Sequence, residues 1–113
     1  MACGGEVDGV RLLSPETIDR IFEVQSDGID LVLGYRLKIG VGYGLPWPEV
    51  LPFVPAGRVC FGTGAGGSMV IADADRRLTV AHVVNRMALP GPGSIVSPIA
   101  AALVERVYDI VKR

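Results

Sequence analysis

Several residue types that carry chemistry are nearly absent from these 113 amino acids. There is one histidine, His82, one asparagine, Asn85, one tryptophan, Trp47, and two lysines, Lys38 and Lys112. The two cysteines, Cys3 and Cys60, lie far apart and form neither a C-x-x-C pair nor a zinc-ligand pattern. No metal and no cofactor is therefore expected, and the thiols fit a reducing, cytoplasmic setting. Net charge is −1, with acidic and basic residues scattered, so the basic surplus that phosphate binding requires is missing and no nucleic-acid partner is expected. No apolar run approaches the length of a membrane span. The segment Met1-Ala2-Cys3-Gly4-Gly5-Glu6 has neither the basic nor the apolar region of a secretory leader.

What is plentiful is apolar surface and turn chemistry. Half the residues are hydrophobic and a fifth are charged, a globular balance, while 15 glycines and 8 prolines predict many turns. The length suits one domain over 1–113.

A helix is expected from Ser14-Pro15-Glu16, with serine capping free N–H groups and proline at the first helical position. Ile18, Ile21 and Phe22 recur at helical spacing, and Ser26-Asp27-Gly28 is expected to end the helix. Leu31-Val32-Leu33 and Tyr35–Val41 look strand-like. Residues 45–57 carry Pro46, Pro48, Pro52 and Pro55 and are expected to form a surface connection without regular structure. Three strands follow, at about Arg58 to Thr63, Ser68 to Ala72 and Leu78 to Asn85, with Asp73–Arg77 as a polar turn between the last two, in which Arg76 and Arg77 are expected to be solvated. The third is apolar on both faces, as if covered on both sides. A second helix starts at Ser97-Pro98, with Ile99, Leu103, Val107, Ile110 and Val111 as its apolar stripe. This order predicts an α+β fold: a three-stranded antiparallel meander packed against a C-terminal helix, with one helix and a Pro-rich connection before it.

The most informative stretch is Cys60-Phe61-Gly62-Thr63-Gly64-Ala65-Gly66-Gly67-Ser68-Met69-Val70. Gly62, Gly64 and Gly67 satisfy G-x-G-x-x-G, but a dinucleotide site needs a helix to open there, and Ser68–Asp73 is strand-like. No Lys-Ser/Thr follows to make a phosphate loop. A tight glycine corner between strands remains, where Gly64, Gly66 and Gly67 are expected to tolerate a side chain less well than Gly44.

The segments 61–73, 78–87 and 4–17 together resemble the C-terminal portion of the serine β-lactamase and penicillin-binding-protein superfamily. The similar branch is the one containing class C-like β-lactamases and related esterases and lipases. The glycine-rich segment takes the place of that family's third active-site motif, and Asn85-Arg86-Met87 resembles the end of its last strand. The resemblance implies acylation of a serine by an ester or β-lactam amide. It implies a substrate-binding site at Gly62, Thr63, Gly64 and Ala65, with the Ala65 N–H on the oxyanion side. Gly62 replaces the Lys, His or Trp of the family motif.

The other two motifs are missing. Tyr35 and Asp109 stand three positions before the lysines, so there is no Ser-x-x-Lys, and Val83 stands two before Asn85, so there is no Tyr-x-Asn or Ser-x-Asn. No catalytic residue is therefore assigned. Ser68 reads as a strand-start serine, His82 as a buried, hydrogen-bonded structural histidine, and Trp47 as packed surface. The expectation is a truncated or split β-lactamase-related hydrolase, inactive alone, which pairs with a separate N-terminal half or with itself. It would meet a small ester or amide substrate only when completed. The alternative is a non-catalytic binding or interaction module derived from that fold.

Overall fold

The computed structural model describes residues 1–91 and 94–112. Its elements are β1 (Glu6–Val7), β2 (Val10–Arg11), α1 (Pro15–Ile21), β3 (Ser26–Ile29), β4 (Arg36–Ile39), β5 (Val59–Thr63), β6 (Met69–Asp73), β7 (Leu78–His82) and α2 (Pro98–Val111). The strands form three antiparallel units: β1-β2, β3-β4 and the meander β5-β6-β7. The α+β architecture is as expected.

Both helices begin as their sequences dictate. Ser14 Oγ accepts from the Thr17 N–H and Ser97 Oγ from the Ala100 N–H, each at 3.2 Å, with proline next in line. The end of α1 differs from expectation. It stops at Ile21, and Ser26-Asp27-Gly28 belongs to β3, paired with Ile39, Lys38 and Leu37 of β4. Cross-strand pairing outweighs the local turn signal of those residues.

Leu31-Val32-Leu33 is not a strand but the tip of the β3-β4 hairpin. Asp30 Oδ1 accepts from the Val32 and Leu33 N–H groups at 2.9 and 2.7 Å, closing the chain on itself. Leu31 and Val32 are 98% and 92% exposed. β-Propensity is overridden here by one carboxylate two residues upstream of the first amide it binds.

The meander is covered on two faces. Val59, Phe61, Met69, Ile71 and Val80 pack against Ala100, Val104 and Tyr108 of α2, with Leu51 and Val96. Cys60 and Ala72, on the opposite face, pack against Ile18 and Ile21 of α1 and Leu45. Fully burying side chains such as Leu51, Ile71 and Val104 contributes about 1.5–3 kcal/mol each.

Three sequence expectations change at this level. Residues 45–57 contain no helix or strand, yet Leu45, Trp47 and Leu51 are buried, so the proline-rich stretch contributes to the core. In β7 only Val80 is buried, while Thr79 and Ala81 are exposed, so this edge strand is covered on one face within the chain. In α2 the buried line is Ala100, Val104 and Tyr108, and Ile99, Leu103, Ile110 and Val111 are exposed. The helix is apolar on two sides, and the meander selects the side that includes the small Ala100.

Gly44 joins the hairpin to the meander. It bridges Ile39 on one side and Phe61 on the other, exchanging two backbone hydrogen bonds with Phe61 at 2.9 Å each. A Cβ at Gly44 would lie 2.7 Å from the Phe61 ring, so only glycine lets the two backbones approach.

Candidate functional site

The junction made by Gly44 leaves a cleft of about 460 Å³ between the β3-β4 hairpin and β5. One wall is Leu33, Tyr35, Leu37 and Ile39, and the other is Phe61, Gly62, Thr63, Gly64 and Ala65. All four residues of the sequence-derived site therefore face one space. Pro90 and Ile95, from the segment after β7, complete the lining.

Strand alternation decides what this space offers. Phe61 directs its N–H and C=O to Gly44, and the Gly64 N–H bonds the Ser68 carbonyl at 2.8 Å. Backbone groups alternate sides along a strand, so the Thr63 N–H and C=O point away from β6, toward the cleft. Among the described residues neither they nor the Ala65 N–H has a hydrogen-bond partner within the protein. Thr63, Gly64 and Ala65 are exposed, so an extended amide or ester can reach this edge.

The corner after Gly64 is a turn closed by the Gly67 N–H on the Gly64 carbonyl at 3.0 Å. Gly67 has φ +107°, and a Cβ there would meet the Ala88 carbonyl oxygen at 3.0 Å. Gly64 and Gly66 have ordinary room, with the nearest atoms at 3.7 and 3.4 Å. The expected ranking of glycines is thus only partly met: Gly67 needs to be glycine, and Gly44 needs it more than Gly64 or Gly66.

Ser68 Oγ accepts from the Val84 N–H at 3.2 Å, tying the glycine corner to the chain leaving β7. His82 is half-buried at the end of β7, and its sheltered Nε2 meets no hydrogen-bond partner among the described residues, unlike the bonded histidine expected. Met69 stands directly across from it in the ladder, so no acceptor is offered there. Burial pushes the Cys60 thiol up, away from the thiolate a nucleophile needs. Among the described residues no cluster of His, Cys, Asp and Glu could hold a metal, and no helix is long and apolar enough to cross a membrane.

Sequence reasoning missed one polar centre. Asp73, expected only as the start of a polar turn, is fully buried and accepts from Tyr108 Oη, Arg76 Nη1 and the Arg76 N–H. Arg76 is therefore not merely a solvated turn residue. A single apolar-flanked Asp followed three residues later by Arg was the available signal, but its partner Tyr108 is 35 positions away. On the hairpin, the Arg36 guanidinium holds the Asp27 carboxyl below the usual carboxylate range through a two-pronged ion pair at 2.8 and 2.9 Å. Arg36 also lies over Trp47, 6.0 Å from the ring centre.

No known family profile matches the chain, and no curated protein matches it. Among solved structures it is similar to a penicillin-binding protein homolog from Caulobacter crescentus, with a TM-score of 0.78 and 29% identity. The match covers 96% of this chain and 28% of that one, so the chain spans little more than a quarter of the solved structure's length. The meander with its C-terminal helix is thus a portion of a penicillin-binding-protein or β-lactamase-like fold.

Proposed function

We propose that this chain supplies the substrate-binding and oxyanion side of a β-lactamase-related serine hydrolase of the esterase, lipase or β-lactamase type. The observation that carries the reading is the Thr63 edge, whose N–H and C=O, like the Ala65 N–H, meet no partner among the described residues, in a cleft that Gly62, Thr63, Gly64 and Ala65 line together. Donors fixed by the backbone cost no reorganisation when a carbonyl oxygen gains charge. The nucleophile is not among these residues, because the sequence holds no Ser-x-x-Lys. The chain acts when a separate segment places an activated serine against the cleft, and in this reading it does so in the cytoplasm. The exposed apolar residues of α2 and of β7 and the chain just after it (Ile99, Leu103 and Ile110, with Val83) supply the surface for such a partner.

Gly62 supports a second reading. The position that orients substrate in the resembling family has no side chain here, which suits a binding module that has lost the chemistry. One experiment separates the two. The purified chain is assayed with a short-chain p-nitrophenyl ester and a chromogenic cephalosporin, alone and co-expressed with a segment carrying Ser-x-x-Lys. The hydrolase reading expects no turnover alone and turnover in the pair, abolished by Thr63→Pro, which removes the cleft-facing N–H without breaking a bond to β6. Ligand binding with no turnover in any pairing favours the module.

A further inference from the structure

The two walls of the cleft differ in kind: on the hairpin wall Leu37 and Ile39 alternate along β4, Tyr35 precedes them, and Leu33 joins them from the tip. Leu33, Tyr35, Leu37 and Ile39 face the cleft, while the intervening Arg36 and Lys38 lie on the opposite side of β4. Arg36 is occupied there by Asp27 and Trp47, and Lys38 lines a different hollow together with Trp47. Neither cation can turn into the cleft without rotating the strand, which would break the β3-β4 ladder. Across the space, Gly62 contributes no side chain. Among the described residues the cleft is therefore lined without a single Lys, Arg, His, Asp or Glu.

We infer that the cleft selects an uncharged acyl compound, whose carbonyl and amide or ester group meets the Thr63 edge and whose apolar arm lies along Leu33, Tyr35, Leu37 and Ile39. It discriminates against ligands that carry a carboxylate at the same place. The inference rests on the proposed function, since it takes the Thr63 edge as the polar end of the site. Its volume falls in the range of small-molecule sites, which are mostly apolar with a few placed polar groups. A carboxylate entering this space would meet the Thr63 and Ala65 N–H groups but no cation, so along the apolar Leu33, Tyr35, Leu37 and Ile39 wall its charge would be only partly compensated. An apolar arm, by contrast, gains with each methylene it buries.

The test uses paired probes, the N-acyl-glycinamides and N-acyl-glycines with butanoyl, hexanoyl and octanoyl chains, titrated into the isotopically labelled chain and followed by amide resonances. The glycinamides are expected to gain about three- to fourfold in affinity for each added methylene and to shift the Thr63 and Ala65 amides. Each carboxylate is expected to bind at least about tenfold more weakly than its amide twin. Leu33→Asp, at a half-exposed position that does not threaten folding, is expected to abolish the chain-length gain. Tyr35→Arg is expected to bring the carboxylates within about threefold of the amides. Equal affinity of each acid and amide, or no gain with chain length, would overturn the inference while shifts at Thr63 and Ala65 left the proposed site standing. A chain-length gain with shifts confined to the hairpin would instead overturn the proposed site, and with it the polar end assigned here. Absence of binding by every probe would overturn both.

Discussion

Tyr108, in the last turns of α2, donates its phenol hydrogen to Asp73 Oδ2 at 3.1 Å, and both side chains are sealed from solvent. Arg76 bonds the same carboxylate oxygen at 3.1 Å, and its guanidinium lies 5.9 Å from the Tyr108 ring centre. One carboxylate thus fastens the turn after β6 to the C-terminal helix.

Tyr108→Phe removes one of the donors to that carboxylate and leaves the packing nearly intact. The expected cost is about 1–3 kcal/mol, read as a lower denaturation midpoint with unchanged slope. A midpoint equal to that of the unaltered chain would show that Arg76 alone satisfies Asp73.

The same contact sets an alkaline limit. Burial first, then the Asp73 charge and the hydrogen bond to it, push the Tyr108 phenol pKa above its ordinary value of 10.0. A group whose folded pKa is raised contributes its stability below the unfolded value and loses it as pH climbs toward the folded one. Stability should therefore fall above about pH 10. Tyr108→Phe should flatten that fall, which melting curves at successive pH values will read directly.

Gly44→Ala drives a methyl group into the Phe61 ring and is expected to cost about 1–3 kcal/mol. Gly64→Ala meets nothing nearer than 3.7 Å and should stay within about 0.5 kcal/mol of the unaltered chain. Urea denaturation of the two variants side by side checks the order, and a larger loss for Gly64→Ala would mean that the corner, not the junction, is the tight point.

Ser68→Ala should leave ester hydrolysis by the chain at background, because Ser68 Oγ accepts from the Val84 N–H and among the described residues no base is hydrogen-bonded to it. The loss should appear in stability instead, at about 0.5–1.5 kcal/mol. A burst of product that disappears on this substitution would make Ser68 a nucleophile.

Ile99, Leu103 and Ile110 leave one side of α2 apolar and open. Sedimentation at rising concentration is expected to show self-association, accompanied by binding of a hydrophobic dye. Ile99→Glu with Ile110→Lys should weaken both without lowering the melting temperature, since neither residue is in the core.

Much of the fold was legible because its signals are local. Ser14-Pro15 and Ser97-Pro98 announce their helices through interactions within one turn, and the three meander strands stand out between glycine and polar turns. The glycine-rich segment could be singled out for the same reason. Leu31-Val32-Leu33 carries strand propensity, which says nothing of where the neighbouring Asp30 carboxylate will turn the chain, and Ser26 to Ile29 of β3 are strand only by virtue of their partners.

By itself the sequence determined the two helix starts, the α+β order and the absence of Ser-x-x-Lys. Each of these depends on residues within a few positions of one another. Only the tertiary structure decided which apolar side of α2 is buried, that Gly44 must admit the Phe61 ring, that Asp73 lies under Tyr108, and that residues 33–39 stand across a cleft from residues 61–65. Those relations join segments remote along the chain, where shape and packing, which no single stretch encodes, select among alternatives that local propensity leaves equal.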